Sequence, residues 1–296
     1  MSLNELEINP WDCSKRDVVY HYTTFEGFSG IIDSQTIRMT NAYYLNDKKE
    51  VRGAIEIAQN FYRRNNCDNK RFLEYLDYLK HNIFSIFLAS FTYNGSQLSQ
   101  WRAYTNNGNG VSLGICKSKL EQIAREYDFE IFDVIYDYEE QEKIIAGLES
   151  IFNSFVTNNS IPYGQLNSIF LKIFLRMKPK EFQEEAEIRL VSKYFEYYTD
   201  SQIKYRTKAN VIIPYIDFRI DVYPKPFFAK VFVGPCEHFD LNYNSVCWRL
   251  SATGQCNFIV NSCSSYRKIQ IFFFEKRCLC LMQNLNHLTI MGKLTE

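Results

Sequence analysis

The stretch Ile83-Phe84-Ser85-Ile86-Phe87-Leu88-Ala89-Ser90-Phe91-Thr92 decides the fold. Strand side chains alternate between two faces. A run that is apolar on both alternations needs cover on both, so residues 83–92 predict a buried central strand. The run is half the length of a membrane span, which needs roughly 18–20 apolar residues, and Ser85 interrupts it.

Upstream of this strand the chain reads as helix twice. Phe72, Leu76 and Leu79 share one face of a helix over Lys70–His81. Val51, Ile55, Ala58 and Tyr62 share a face of a longer helix. Asp47, at the end of a loop over 41–47, is placed to cap the longer one. Thr36–Thr40 predicts a strand with Ile37 and Met39 on one face, and Val18–Thr23 predicts another. Between these two strands Thr24 opens a helix carrying Phe25, Phe28, Ile31 and Ile32. Downstream, Asn94-Gly95 turns the chain into a short helix with Trp101 and Tyr104. Strands are expected at Val111–Cys116, Phe129–Tyr136, Glu187–Tyr194, Val211–Ile216 and Ala229–Val233. Two helices fill Glu139–Met177 on either side of a loop at 157–164, while Phe239–Leu250 follows neither period.

Strands scattered between helical insertions, without regular βαβ alternation, define an α+β fold with split mixed or antiparallel sheets. No internal repeat or long linker divides the chain. One domain over 1–268 is therefore expected, followed by an appended tail, 269–296, of different character. The 34 Lys and Arg balance 34 Asp and Glu, so overall charge forces neither a nucleic-acid nor a membrane partner. The first 13 residues carry acids and no apolar segment, unlike a signal peptide. These features predict a soluble cytoplasmic protein. Its nine cysteines, an odd set without paired C-x-x-C spacing, then read as reduced thiols, and no metal is expected.

P-loop, Rossmann, serine-hydrolase and zincin signatures are absent. Four polar clusters remain: Tyr20-His21-Tyr22-Thr23-Thr24; Asn46-Asp47 with Glu50; Ser90-Phe91-Thr92 with Gln97, Trp101, Tyr104 and Gly110-Val111; and Glu184-Glu185-Ala186-Glu187-Ile188-Arg189. On a strand, Glu185 and Glu187 point to the same face. Each cluster also has a plain structural reading. His21 and Ser90 can bond neighbouring backbone, and Trp101 and Tyr104 can be core. Glu185, Glu187 and Arg189 can form an ion-pair ladder on a solvated strand face.

With Pro214-Tyr215, Val233-Gly234-Pro235 and Ser265-Tyr266-Arg267, these clusters resemble a bacterial family known as domain of unknown function 2971 over about residues 18–267. Lys48 departs from that family's usual proline after Asn-Asp. The order His21, Ser90, Glu187 also resembles, distantly, the ADP-ribosyltransferase fold, although His21 with Ser90-Phe91-Thr92 mixes two of its subclass patterns. That resemblance implies NAD as co-substrate, an acceptor that is protein or nucleic acid, and a role as toxin or phage-defence effector. It also implies site roles: Glu187 as the carboxylate beside the reacting ribose, Glu185 acting on the acceptor, and His21 holding a cofactor ribose. Tyr22, Thr23, Ser90 and Tyr104 would line the NAD site. The rival expectations are a non-enzymatic nucleotide- or partner-binding module of the same fold, and a nucleic-acid-directed enzyme whose acceptor is read by Lys204, Arg206 and Lys208.

Overall fold

The computed structural model describes residues 17–45, 50–157, 162–195, 200–221, 225–255 and 259–261. Asn46, Asp47, Lys48 and the tail 269–296 lie outside these residues, as does Ser265-Tyr266-Arg267.

The fold is α+β. Among the described residues ten strands form one sheet: β1 (Val18–Thr24), β2 (Thr36–Asn41), β3 (Phe87–Thr92), β4 (Gly110–Cys116), β5 (Glu130–Asp133), β6 (Glu187–Val191), β7 (Lys204–Lys208), β8 (Val211–Arg219), β9 (Phe228–Val233) and β10 (Ile259–Asn261). These strands pair antiparallel except β10 with β9. The main path runs β10-β9-β4-β1-β3-β2-β8-β7, and β6 pairs both β3 and β5.

The expected central strand is the hub, but it is shorter than its apolar run. Ile83–Ser85 forms a 3-10 turn, and the strand begins at Phe87. One edge of β3 is fully taken by β6, from Leu88↔Val191 to Thr92↔Glu187. The opposite edge is divided. At its start Phe87 and Leu88 pair with Asn41 and Thr40 of β2, and at its end Thr92 pairs with Tyr20 of β1. The sheet therefore forks at β3. One arm is β1, β4, β9 and β10, the other is β2, β8 and β7, and Ser90 lies in the crotch between them.

Alternation along the strands sends apolar side chains into two cores. On one face Val19, Ile37, Phe91, Leu113 and Phe218 meet helices α1 (Phe25–Ser34), α5 (Lys117–Glu126) and α9 (Phe239–Thr253). The other core joins Leu88 and Val191 to α2 (Glu50–Arg64), α3 (Lys70–His81), α6 (Tyr138–Ala146), α7 (Leu148–Thr157) and α8 (Tyr163–Phe174). The segment read as two helices thus contains three. α1 starts as expected: Thr24 Oγ1 accepts from the Gly27 amide at 3.1 Å. Trp101, on α4 (Leu98–Tyr104), is buried with Val18, Tyr20 and Tyr22 in a smaller cluster.

Cys116 is disulfide-bonded, against the expectation of reduced thiols throughout; Cys67, Cys236 and Cys247 are free. An odd count without paired spacing carried no hint of that bond. Among the described residues no helix is long and apolar enough to cross a membrane, and no three His, Cys, Asp or Glu side chains group as metal ligands.

Candidate functional site

The fork opens a cleft lined by His21, Tyr22, Ser90, Tyr104, Glu185 and Glu187, residues drawn from all along the chain. Its enclosed volume is about 200 Å³, below the roughly 300–1,000 Å³ of pockets that swallow a drug-sized ligand. It can surround one moiety of a dinucleotide, not the whole.

His21 stands where the crotch leaves β3 without a partner strand. Its Nδ1 lies 3.0 Å from the Ser90 carbonyl oxygen. A carbonyl only accepts, so Nδ1 carries the proton and Nε2 of the neutral ring is an acceptor. Burial lowers the His21 pKa and outweighs the bond to Ser90, which raises it. The ring is neutral at pH 7 and tilts against Phe91 at 5.4 Å.

Glu187 opens β6, with Thr92 across from it on β3. Arg189, two residues on and so on the same strand face, donates through Nε and one terminal nitrogen to the two Glu187 oxygens, both at 2.9 Å. Lys178 donates to Glu187 at 3.3 Å and to Glu185 at 2.6 Å. Burial by itself would raise the Glu187 pKa. The Arg189 guanidinium, then Lys178 and the Ser90 hydroxyl, reverse that and hold it at about 2. Arg189 is 1% exposed and its remaining terminal nitrogen donates to the Leu175 carbonyl at 2.9 Å. The ion-pair ladder exists, but it is buried, not the solvated strand face that surface patterning suggested.

Glu185 is not on the strand. Lys180–Glu185 is a 3-10 turn, and Ala186, at φ 42°, turns the chain into β6. Strand periodicity therefore does not pair the two glutamates. Lys178 does, by bridging them, while Thr92 donates to the Glu185 carbonyl at 2.7 Å and fixes the turn. The local sequence carries no mark of that left-handed alanine.

The aromatic residues divide by role. Tyr22 donates to the Asn94 carbonyl at 2.7 Å and accepts from the Gln97 amide at 3.0 Å. Its ring meets Trp101 edge-on at 4.7 Å, and burial pushes its hydroxyl up to about 12. It is a fixed wall. Tyr104 is half-buried at the rim. Thr23 does not line the cleft; its hydroxyl occupies the space where a Cβ on Gly27 would stand, under the first turn of α1.

Lys178, Gln100 and Arg38 escaped sequence reading as site residues. Arg38 could have been found, because it falls out of phase with the buried Ile37 and Met39. Lys178, within Met177-Lys178-Pro179, had no local signal at all. Arg206 and Lys208, considered only as acceptor-reading residues, line the cleft's second wall.

Fold and site together define an α+β protein with a small cleft at a forked, mostly antiparallel sheet. A family model described as protein of unknown function (DUF2971) matches residues 100–190 and supports the resemblance to that family. The matched stretch holds Trp101, Tyr104, Gly110-Val111 and the Glu185/Glu187/Arg189 cluster, while His21 and Ser90 lie before it. No curated protein matches the chain. No solved structure matches it either.

Proposed function

We propose that the chain is an NAD-dependent ADP-ribosyltransferase-like enzyme working at the forked cleft. One observation carries this reading: His21, Ser90, Glu185 and Glu187, read from sequence as one site, line one cavity. In this chemistry the bond from ribose to nicotinamide breaks, its electron pair leaves with the nicotinamide, and positive charge grows on the sugar until water or an acceptor bonds to that carbon. Carboxylates fixed beside that carbon stabilise the transition state more than the ground state. The neutral Nε2 of His21 would accept a ribose hydroxyl and hold the pose.

A second reading is favoured by the charge state of Glu187. Arg189 and Lys178 already compensate it, so little of its field is left for a cationic sugar. That fits a non-enzymatic module which binds a nucleotide in the same cleft. NAD hydrolysis and transfer of labelled ADP-ribose to lysate, measured on the intact protein, on Glu185→Gln and on Glu187→Gln, separate the two. Enzyme chemistry predicts that Glu187→Gln loses hydrolysis by about 100- to 1000-fold, and that Glu185→Gln keeps hydrolysis and loses transfer. Nucleotide-induced stabilisation without turnover supports the binding module. Full hydrolysis by folded Glu187→Gln removes Glu187 from catalysis.

A further inference from the structure

The second wall of the cleft is basic, and its one acidic side chain among the described residues, Asp217, is bound to Lys204. Arg38 on β2 and Arg206 and Lys208 on β7 line it, together with Thr40 and Tyr44. Registers across β2, β8 and β7 set them on one sheet face: Arg38 is opposite Asp217, Thr40 is opposite Tyr215, and Lys204 is opposite Tyr215 from the other side. Alternation adds Arg206 and Lys208 to the same face as Lys204.

Acidic partners are used elsewhere. Asp217 binds Lys204 at 2.7 Å and accepts from Thr36 at 3.2 Å. Among the described residues Arg38, Arg206 and Lys208 make no ion pair. Arg38 lies over the Tyr215 ring at 5.0 Å. The Arg206 guanidinium makes one hydrogen bond, to Thr40 Oγ1 at 3.3 Å, and its Nε is buried with no acceptor. A buried donor without a partner is costly. Burial, and then the charge of Arg38, lower the Arg206 pKa. The Arg206 guanidinium is thus partly desolvated, short of acceptors and subject to the like charge of exposed Arg38. An anion with several oxygens would relieve all three conditions at once.

We propose that Arg38, Arg206 and Lys208 form the subsite for the diphosphate of a nucleotide ligand, along the β2–β8–β7 wall of the cleft. The enclosed 200 Å³ then takes the sugar or base beside His21 and Glu185, and the diphosphate runs out over the basic wall. The choice of a nucleotide rests on the function proposed above; the anion subsite stands on the uncompensated guanidinium groups alone.

Titration calorimetry on the full chain tests it with three probes: inorganic pyrophosphate, ADP-ribose, and nicotinamide riboside, which has no phosphate. Pyrophosphate and ADP-ribose are expected to bind. Their affinity should fall about tenfold or more in Arg206→Gln and in Arg38→Gln, as for loss of a charge-assisted contact. It should also fall as ionic strength is raised to about 0.5 M. Lys208→Gln, at an exposed position, gives the same direction of change without risk to folding. Riboside binding should be unchanged in all three variants. The subsite is overturned if pyrophosphate fails to bind the intact protein at millimolar concentration, or if its affinity in all three variants equals that of the intact protein. Pyrophosphate binding that depends on Arg206 without any NAD turnover upholds the subsite and rejects the enzyme. NAD turnover unaffected by these substitutions does the reverse.

Discussion

Removing one partner of a buried ion pair leaves the other charge desolvated, at about 3–5 kcal/mol. Glu187→Gln does this to Arg189, and in part to Lys178. It is expected to lower stability by about that amount, read from urea midpoints, so activity must be compared on protein shown to be folded. The pH dependence has a definite sign. The folded Glu187 pKa, about 2, lies below its ordinary 4.5. Its contribution is therefore full above pH 4.5 and is lost as pH falls towards 2. Between those values the unfolded chain binds more protons, which amounts to on the order of 3 kcal/mol. Urea midpoints measured down this range should fall more steeply for the intact protein than for Glu187→Gln; equal slopes would mean that Glu187 titrates normally. At this scale much of the cleft was legible, because His21, Ser90 and Glu187 are polar residues set in otherwise apolar strand segments. What hid was long-range compensation. Arg189 was in view two residues on, but Lys178 reaches both glutamates only through the fold, so no local pattern could reveal its share in compensating Glu187.

Elements with a strong period were read nearly residue for residue, as with α3 over Lys70–His81. Errors fell where period and backbone disagree. β7, Lys-Tyr-Arg-Thr-Lys, has no apolar alternation and was not read as a strand; it holds its place through five pairs with β8. α9 has buried Val246, Cys247 and Leu250 on a weakly patterned helix. Two glycine motifs gain a packing explanation. The Gly234 amide donates to the Gly110 carbonyl at 2.8 Å, and a Cβ on Gly234 would stand 2.1 Å from the Gly108 carbonyl oxygen. Backbone cannot yield as a side chain does. Gly234→Ala is thus expected to destabilise by about 1–3 kcal/mol, lowering Tm by several degrees. An unchanged melting curve would show that this turn relaxes freely.

For the molecule as a whole, the α+β class followed from the order of elements, while the fork did not, because pairing partners of β3 are chosen across the entire chain. The sheet runs at least to Asn261 through β10, so the boundary at 268 falls after its last described strand. Truncation after Lys268 is expected to leave a soluble chain with one cooperative unfolding transition. Aggregation of that fragment would assign Phe272–Phe274 to the core and move the boundary.

β7 is the outermost strand on its side of the described sheet. An open edge offers unpaired backbone to any other extended chain, and lysines along it are a common guard against such pairing. Tyr205 and Ile212, both largely exposed, make this hairpin a sticky one without such a guard. Lys204, Arg206 and Lys208 put positive charge along this edge, of the kind that guards against such pairing, and Arg206 and Lys208 also face the cleft. Replacing them one at a time leaves that colloidal protection standing; erasing all three together would expose a template for fibrous assembly.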